Sequence, residues 1–403
     1  MTTDVDPFER FEQANAGGVR DPYPDWAAMR EQSPVHEIDL RKEYGLGDDV
    51  EFELPRAYVV LSYDGVTQVL RDPESFSSSY YADTMGVVMG HSILEMDEPE
   101  HHHYRGLIQQ AFTRKALDRW QDELVRPMVE SIVSEIADRG RGDLVRDLTF
   151  PFPVRVIAGM LGLPASDLPQ FHSWAVELIS VGFDFEVGMA ASQKLRDYFA
   201  SVLAPRRVAP QDDLISVLAH ASLDGTQLDD EQIFAFLRLL LPAGAETTYR
   251  SSSNLLFGLL TNPDQLAALQ ADRSLLPQAI EEGIRWEPPL TGIARWATGD
   301  CEIDGAPIAA QSVVNVCMGA ANRDPKRWER PDEFDIFRPP QQHVSFALGP
   351  HTCLGMHLAR METTVAMETV LDRLPKLHLD PSAEDIHIRG HAFRSPPALP
   401  VVC

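Results

Sequence analysis

The stretch Phe346-Ala-Leu-Gly349-Pro-His351-Thr-Cys353-Leu-Gly355 decides the fold of this chain. It leads directly into a helical pattern from about Leu354 to Leu374. Two glycines beside one cysteine let the backbone turn and approach a flat ligand, and amide N–H groups at a helix start stabilise a thiolate. The pattern therefore predicts a site for an anionic sulfur at Cys353.

Chance is a poor explanation of this motif. With 18 Phe, 25 Gly and 4 Cys in 403 residues, F-x-x-G-x-x-x-C-x-G is expected in roughly seven of ten thousand such chains. A lone cysteine is otherwise more often a buried, inert side chain. A zinc site could use His351, Cys353 and His357, but no fourth ligand lies at finger-like spacing. We expect a structural role for the remaining cysteines, Cys301, Cys317 and Cys403.

Upstream, small residues and then polar ones interrupt a long helical pattern at Ala243-Gly244-Ala245-Glu246-Thr247. Asp229 with Gln232 predicts a capping box, and the helix is expected to continue to Thr261. A glycine costs a helix interior about 1 kcal/mol relative to alanine, so the pattern indicates either close packing or room for a ligand. Ordinary helix packing is the alternative.

A second pair of charges lies in Glu282-Gly-Ile-Arg285, where carboxylate and guanidinium share one helix face. Taken alone, such a pair is usually exposed and contributes little to stability. It precedes residues 294–318, ARWATGDCEIDGAPIAAQSVVNVCM, whose β-type runs and Gly-Asp and Asp-Gly turns predict hairpins.

These segments, together with DEPEHHHYR at 97–105, resemble in their order the cytochrome P450 family of haem-thiolate monooxygenases. The resemblance covers essentially the whole chain. It implies a mainly α fold with a smaller β part: one triangular prism-like helical domain, residues 1–403, around a buried haem. The β-rich parts are expected at about 35–62 and 292–320, with a C-terminal hairpin region at 376–403.

The resemblance implies haem b as the cofactor, with Cys353 as the axial ligand of its iron, and O2 as co-substrate. It assigns Glu246 and Thr247 to an acid–alcohol proton relay, and Glu282 and Arg285 to the scaffold. The haem propionates, which need cations or donors, are assigned to His101, Arg105, Arg295 and His351. Further residues at the haem are implied to be Phe346, Gly349, Gly355, Ala243 and Gly244, with Gly244 widening the groove.

An apolar, methionine-containing substrate pocket is implied on the other side of the haem. For each of its residues, ordinary core packing is the alternative. Terpenoid, steroid, fatty-acid and polyketide substrates all fit such a lining. The pocket residues are expected to be Met85, Val88, Met89, Leu239, Ala243, Leu290, Thr291, Ile293 and Phe393.

Charge and composition restrict the partners. With 61 acidic and 35 basic residues, the formal net charge of −26 excludes nucleic acid and anionic lipid. The N-terminal MTTDVDPFERFEQ does not resemble a secretory signal, and no apolar run reaches the roughly 18 residues of a membrane span. We expect a cytoplasmic monomer without a membrane anchor.

Electrons must come from separate proteins, because no G-x-G-x-x-G fingerprint is present. The resemblance implies a ferredoxin and a ferredoxin reductase, drawing ultimately on NAD(P)H. Most such donors are acidic, so this acidic chain needs a local basic patch for docking. We expect that patch at Arg114, Lys115 and Arg360.

The expected reaction is insertion of one oxygen atom of O2 into a hydrophobic small molecule, by hydroxylation or epoxidation. A peroxide-driven haem peroxygenase and a non-enzymatic haem-thiolate sensor are the alternatives. His102 and His103 receive no assignment. The segment Arg41 to Leu54 is longer than the family's usual connection between the first two strands.

Overall fold

The computed structural model describes Phe8 and residues 19–44, 56–179, 181 and 184–403. The long connection predicted at Arg41 to Leu54 begins in a short helix, Leu40–Glu43, and its residues 45–54 lie outside the described residues.

Helices make up most of the described chain, as the three- and four-residue spacing of apolar side chains predicts. In chain order the α-helices are α1 Tyr23–Gln32, α2 Leu40–Glu43, α3 Tyr63–Arg71, α4 Met85–Met89, α5 Glu100–Gln109, α6 Arg114–Trp120, α7 Arg126–Arg139, α8 Pro151–Met160, α9 Leu168–Ile179, α10 Phe185–Val208, α11 Leu214–His220, α12 Asp230–Leu240, α13 Thr247–Thr261, α14 Pro263–Ala271, α15 Leu276–Trp286, α16 Met318–Ala321 and α17 Met356–Arg373.

The strands are short. They are β1 Val35–Glu37, β2 Ala57–Val60, β3 Phe76–Ser77, β4 Arg141–Asp143, β5 Ser222–Leu223, β6 Thr226–Gln227, β7 Gly292–Ala297, β8 Cys301–Ile303, β9 Ala306–Ile308, β10 Val313–Cys317, β11 His378–Leu379 and β12 Pro400–Val402. Five of them form a sheet in the order β1-β2-β10-β7-β3, in which only the β2–β10 pair is parallel. One apolar cluster packs among the helices and a second packs against this sheet.

The predicted β block at residues 294–318 is confirmed. Its hairpin β8–β9 turns at Asp304 and Gly305, which both have positive φ, at 47° and 82°. A two-residue turn with both φ values positive matches the twist of the flanking strands. Asp-Gly is therefore the sequence signal that this turn needs.

The long helix begins as predicted but is not continuous. The Asp229 carboxylate accepts the Gln232 amide at 2.8 Å, and Gln232 Oε1 accepts the Asp229 amide at 2.8 Å. Between α12 and α13, however, residues Leu241–Glu246 form a π-helical turn. Pro242 has no N–H for the regular ladder, and a π turn accommodates the break.

Helix α10, Phe185–Val208, begins where the Asp184 side chain caps it by accepting the Val187 amide at 3.1 Å. In the C-terminal region, β12 pairs with β11 as predicted and also with β4. Local sequence patterns do not predict that second pairing, since the paired residues, such as Asp143 and Pro400, lie far apart in the chain.

The scaffold assignment of Glu282 and Arg285 rests on a buried ion pair. Arg285 donates from Nε to Glu282 Oε2 and from Nη2 to Oε1, both at 2.8 Å, and each side chain is 1% exposed. Arg285 Nη1 also donates to the carbonyls of Asn322 and Pro331, at 2.9 and 2.8 Å. Arg338 adds a second cation to Glu282, with its Nε 3.2 Å from Oε1.

We predict that Glu282→Gln lowers the free energy of unfolding by roughly 3–5 kcal/mol, because it leaves a buried guanidinium uncompensated. The matched control is Glu333→Gln, which breaks an exposed pair at the same three-residue spacing, Arg330–Glu333. That control should cost less than about 1 kcal/mol. Urea unfolding measures both losses, and equal losses would contradict the structural role of the buried pair.

Candidate functional site

The cysteine loop is held in shape by its own backbone. The Cys353 amide donates to the Phe346 carbonyl at 2.8 Å, and the Thr352 amide donates to the Gly349 carbonyl at 3.1 Å. Gly349 has φ +73°, and a Cβ there would lie 2.3 Å from the Leu70 carbonyl oxygen. Only glycine satisfies both constraints.

Cys353 is exposed, although it stands just before α17 within a large fold. Desolvation raises the pKa of its thiol, while the amides of Gly355 and Met356 and the charge of Arg105 lower it. Cys353 is therefore accessible to solvent although the protein around it desolvates its thiol. The Gly355 and Met356 amides stand at the start of helix α17, where the sequence predicts N–H groups that stabilise a thiolate.

Three of the four predicted propionate residues are joined to one another or to the loop by direct contacts. The rings of His101 and His351 stack with centroids 4.0 Å apart, and Arg105 Nη2 donates to the Thr352 carbonyl at 2.6 Å. Desolvation and the charges of His101, Arg295 and Arg105 lower the pKa of His351 to about 3. The charges of Arg295 and Arg105 thus reach the same imidazole.

His101, Arg105, Arg295 and His351 form a basic cluster. Two acids beside it, Asp97 and Glu98, both accept hydrogen bonds. Asp97 accepts the Ser77 hydroxyl and the Ser78 amide, and Glu98 accepts from His101 Nδ1 at 3.2 Å. His101 is 1% exposed, and its Nε2 has no hydrogen-bond partner. Four basic groups with few facing acids repel one another, and an added anion would relieve that repulsion.

These residues fit a haem. The accessible sulfur of Cys353 suits iron, and the basic cluster with the unpartnered His101 Nε2 suits carboxylates such as propionates. A Cβ at Gly355 would meet no atom within 4 Å, so that side of the loop is open. By contrast, no group of three or more His, Cys, Asp and Glu side chains in the described ranges is arranged to hold a bare metal ion.

The predicted groove residues lie in and beside the π turn. Ala243 is exposed in the middle of a buried helix, which indicates open space beside it. Thr247 donates its hydroxyl to the Ala243 carbonyl at 2.8 Å. A Cβ on Gly244 would lie 3.2 Å from Ile157 Cδ1, so the absence of a side chain there serves packing against α8.

Glu246 is buried and paired with an arginine that sequence reasoning missed. Arg250 donates to Glu246 Oε1 from Nη2 at 3.0 Å and from Nε at 3.3 Å. Desolvation raises the pKa of Glu246, and the Arg250 charge and hydrogen bonds oppose that rise. The sequence could have predicted this pair from the four-residue spacing of Glu246 and Arg250, which places both side chains on one helix face.

The predicted substrate-pocket residues occupy three places. Met85, Val88 and Met89 share α4, and Leu239 and Ala243 lie along the long helix. Leu290 and Phe393 form an isolated antiparallel bridge, and Ile293 follows on β7. The Thr291 hydroxyl is committed to the His391 carbonyl, at 2.8 Å.

The predicted docking residues differ in their surroundings. Arg114 and Lys115 begin α6 and are exposed. Arg360 is 31% exposed in its side chain and forms a bidentate pair with Glu281, at 2.6 and 2.7 Å. Its guanidinium also lies 4.7 Å from the centre of the Phe346 ring.

A second buried acid, Glu362, also escaped the sequence analysis. Burial raises its pKa to about 8, against a weaker lowering by a hydrogen bond from Thr248. Its position in the helical repeat could have predicted this burial. On α17, Glu362 lies four residues after the buried Leu358 and three residues before the buried Val365.

We predict that Glu362→Gln stabilises the protein increasingly as pH rises. The unfolded Glu362 ionises near pH 4.5 and the folded one near 8, so wild-type stability falls across that window. The glutamine variant lacks this loss. Unfolding midpoints at about pH 5 and about pH 9 measure the difference between the two proteins. A gap that is equal at both pH values would contradict the prediction.

Comparisons with known proteins agree with this geometry. A model of the Cytochrome P450 family matches residues 184–397. Cytochrome P450 monooxygenase PikC of Streptomyces venezuelae is 34% identical over 395 residues, which cover 94% of this chain and 91% of PikC. Steroid C26-monooxygenase of Mycolicibacterium smegmatis is 35% identical over 396 residues, covering 96% and 93%.

Solved structures lead to the same family. CYP109E1 from Bacillus megaterium, crystallised in complex with testosterone, superposes with a TM-score of 0.85 at 32% identity, covering 95% of this chain and 99% of that one. The expected fold class is thereby confirmed. None of the helices in the described part of the chain combines the length and apolar character needed to cross a bilayer. Since relatives above 30% identity span nearly its whole length, this chain belongs to the cytochrome P450 family of monooxygenases.

Proposed function

We propose that this chain inserts one oxygen atom of O2 into a hydrophobic small molecule, by hydroxylation or epoxidation, with electrons from a ferredoxin. The observation that carries the proposal is the exposed Cys353 beside a cluster of four basic side chains, His101, Arg105, Arg295 and His351. We further propose that it works as a single-domain monomer, and that a ferredoxin reductase passes electrons from NAD(P)H to the ferredoxin.

Each part of the site has its own task in this proposal. Cys353 would ligate the haem iron, and His101, Arg105, Arg295 and His351 would bind the propionates. When bound, thiolate-ligated haem supplies the reductive activation of O2. Glu246 and Thr247 would hold and pass protons at their side-chain oxygens, and the apolar pocket would orient the substrate and exclude water.

For the substrate we favour a steroid-type molecule. Relatives are named steroid C26-monooxygenase, and CYP109E1 was solved with testosterone and with corticosterone. A polyketide is the second class to test, because PksS of Bacillus subtilis is named for polyketide biosynthesis. The apolar side chains on α4 and around the Leu290–Phe393 bridge suit both classes. A screen of steroids, polyketides, terpenoids and fatty acids for a ferric spin-state shift would decide among them.

The thiolate assignment gives a direct test. We expect Cys353→Ala to abolish the strongly red-shifted Soret band of the ferrous–CO complex, because that band depends on sulfur ligation. Cys301→Ala is the matched control, since Cys301 lies in the hairpin β8–β9, and it should keep the band. Wild-type protein that binds haem without this band would overturn the proposed function.

Electron transfer gives a second test. We propose that docking depends chiefly on Arg114 and Lys115, because Glu281 holds Arg360 in a bidentate pair, whereas the side chain of Arg114 is 92% exposed and lies 3.6 Å from Asp118. Arg114→Glu/Lys115→Glu should slow reduction by the native ferredoxin at least tenfold at low salt, and less at high salt, since screening weakens exposed charges. Stopped-flow reduction measures both rates. Lys194→Glu on α10 is the control, and an equal slowing by that control would contradict the docking site.

A further inference from the structure

Glu246, at the end of the π turn, and Arg250, on α13, form an almost completely buried ion pair. Their side chains are 6% and 3% exposed, and Glu246 precedes Arg250 by four residues. Both contacts from Arg250 end on Oε1 of Glu246, from Nη2 at 3.0 Å and from Nε at 3.3 Å. The other oxygen, Oε2, has no hydrogen-bond partner among the described residues. Arg250 thus fixes one oxygen of the carboxylate and leaves the second uncommitted.

The guanidinium is itself anchored by the C-terminal part of the chain. Arg250 Nη1 donates to Ser395 Oγ at 3.0 Å, and the Tyr249 hydroxyl lies 3.1 Å from the same oxygen. The ring centres of Tyr249 and Phe393 lie 5.2 and 5.6 Å from the guanidinium carbon. Hydrogen bonds at three nitrogens and two aromatic contacts hold Arg250 in one orientation.

This anchored pair stands on the helix face that carries the predicted relay. Glu246 and Thr247 lie three and four residues after Ala243, and Arg250 lies four residues after Glu246 and three after Thr247, so the four share one side of the helix. Ala243 is exposed on that side, and the Thr247 hydroxyl bonds back to its carbonyl. Glu246 therefore shares its helix face with an exposed position, Ala243, and with the Thr247 hydroxyl.

We propose that Arg250 is a positioning residue for the proton relay, holding Glu246 as a carboxylate whose free Oε2 can take up a proton and release it toward Thr247. This rests on the proposed function. In each passage one proton binds at Oε2 and one leaves it, so Glu246 returns to the carboxylate. Without Arg250, a buried Glu246 would stay protonated and would turn away from this orientation, because nothing would offset its desolvation.

The test compares four variants of the full-length holoprotein. Arg250→Met removes the charge and keeps the side-chain length, and Arg250→Lys restores the charge without the fork of donors. If Arg250→Met does not fold, Ser395→Ala removes the hydrogen-bond acceptor of Arg250 Nη1 and keeps the charge of the arginine. Arg238→Met is the matched control: Arg238 is a buried arginine on the same long helix, and it bonds Ser192 Oγ and the Phe234 carbonyl.

Infrared titration of the resting protein measures the protonation of Glu246 without turnover. The infrared band of the protonated carboxyl is assigned to Glu246 if it disappears when Glu246→Gln is introduced into the same protein. A band that remains after this substitution belongs to another carboxyl group, such as Glu362. In Arg250→Met its titration midpoint should rise by about one to three pH units. Arg250→Lys should recover most of that shift, Ser395→Ala should show a smaller shift, and Arg238→Met should show none.

Turnover gives the second readout. Product formed per electron consumed should fall severalfold in Arg250→Met at neutral pH, and its pH profile should move in the direction of the infrared midpoint. An unchanged Glu246 midpoint in Arg250→Met, or an equal shift in Arg238→Met, would overturn the inference. A normal ferrous–CO band in the same samples would show that the proposed function stands although the inference has failed. If that band is absent, the infrared midpoint still decides the role of Arg250.

Discussion

The buried pair of Glu282 and Arg285 is the interaction on which the position of the cysteine loop depends. Arg285 donates hydrogen bonds to carbonyl groups in the segment between β10 and that loop, including those of Asn322 and Glu333. Asn322 in turn bonds the Val344 amide and the Ser345 hydroxyl, immediately before Phe346. A chain of buried, satisfied polar groups thus runs from helix α15 to the start of the loop. Such networks rigidify a fold only when every member is paired.

Charge is distributed unevenly in this acidic protein. Although acids outnumber basic residues over the whole chain, basic side chains gather near Cys353. Of the adjacent acids, Asp97 accepts from the Ser78 amide and Glu98 accepts from His101. Inside the helical part, the acids Glu246 and Glu362 are both buried, but only Glu246 has an ion-pair partner. Burial raises the pKa of both carboxyl groups, but in Glu246 the charge of Arg250 opposes that rise. Buried carboxyl groups with such different surroundings perform different tasks.

Much of the site could be predicted from the sequence because its elements are local. The turn at Gly349, the amides that support Cys353, and the capping box at Asp229 each involve residues a few positions apart. The interruption of the long helix was missed, although Pro242 stood in the motif, because helical periodicity on both sides outweighed it. Arg250 and Glu362 were missed because a charged residue inside an apolar register is recognised only when its burial is known.

By itself, the sequence determined the family, the helical class and the order of the motifs, and it predicted that Cys353 is the iron ligand, since local spacing and residue chemistry carry that information. Tertiary structure alone decided which distant groups meet. It stacks His101 on His351, ties Arg250 to Ser395, pairs β4 with β12 and neutralises Arg360 with Glu281. Each of these contacts joins residues far apart in the chain, and whether a charge there is free or paired follows from packing that no local pattern records.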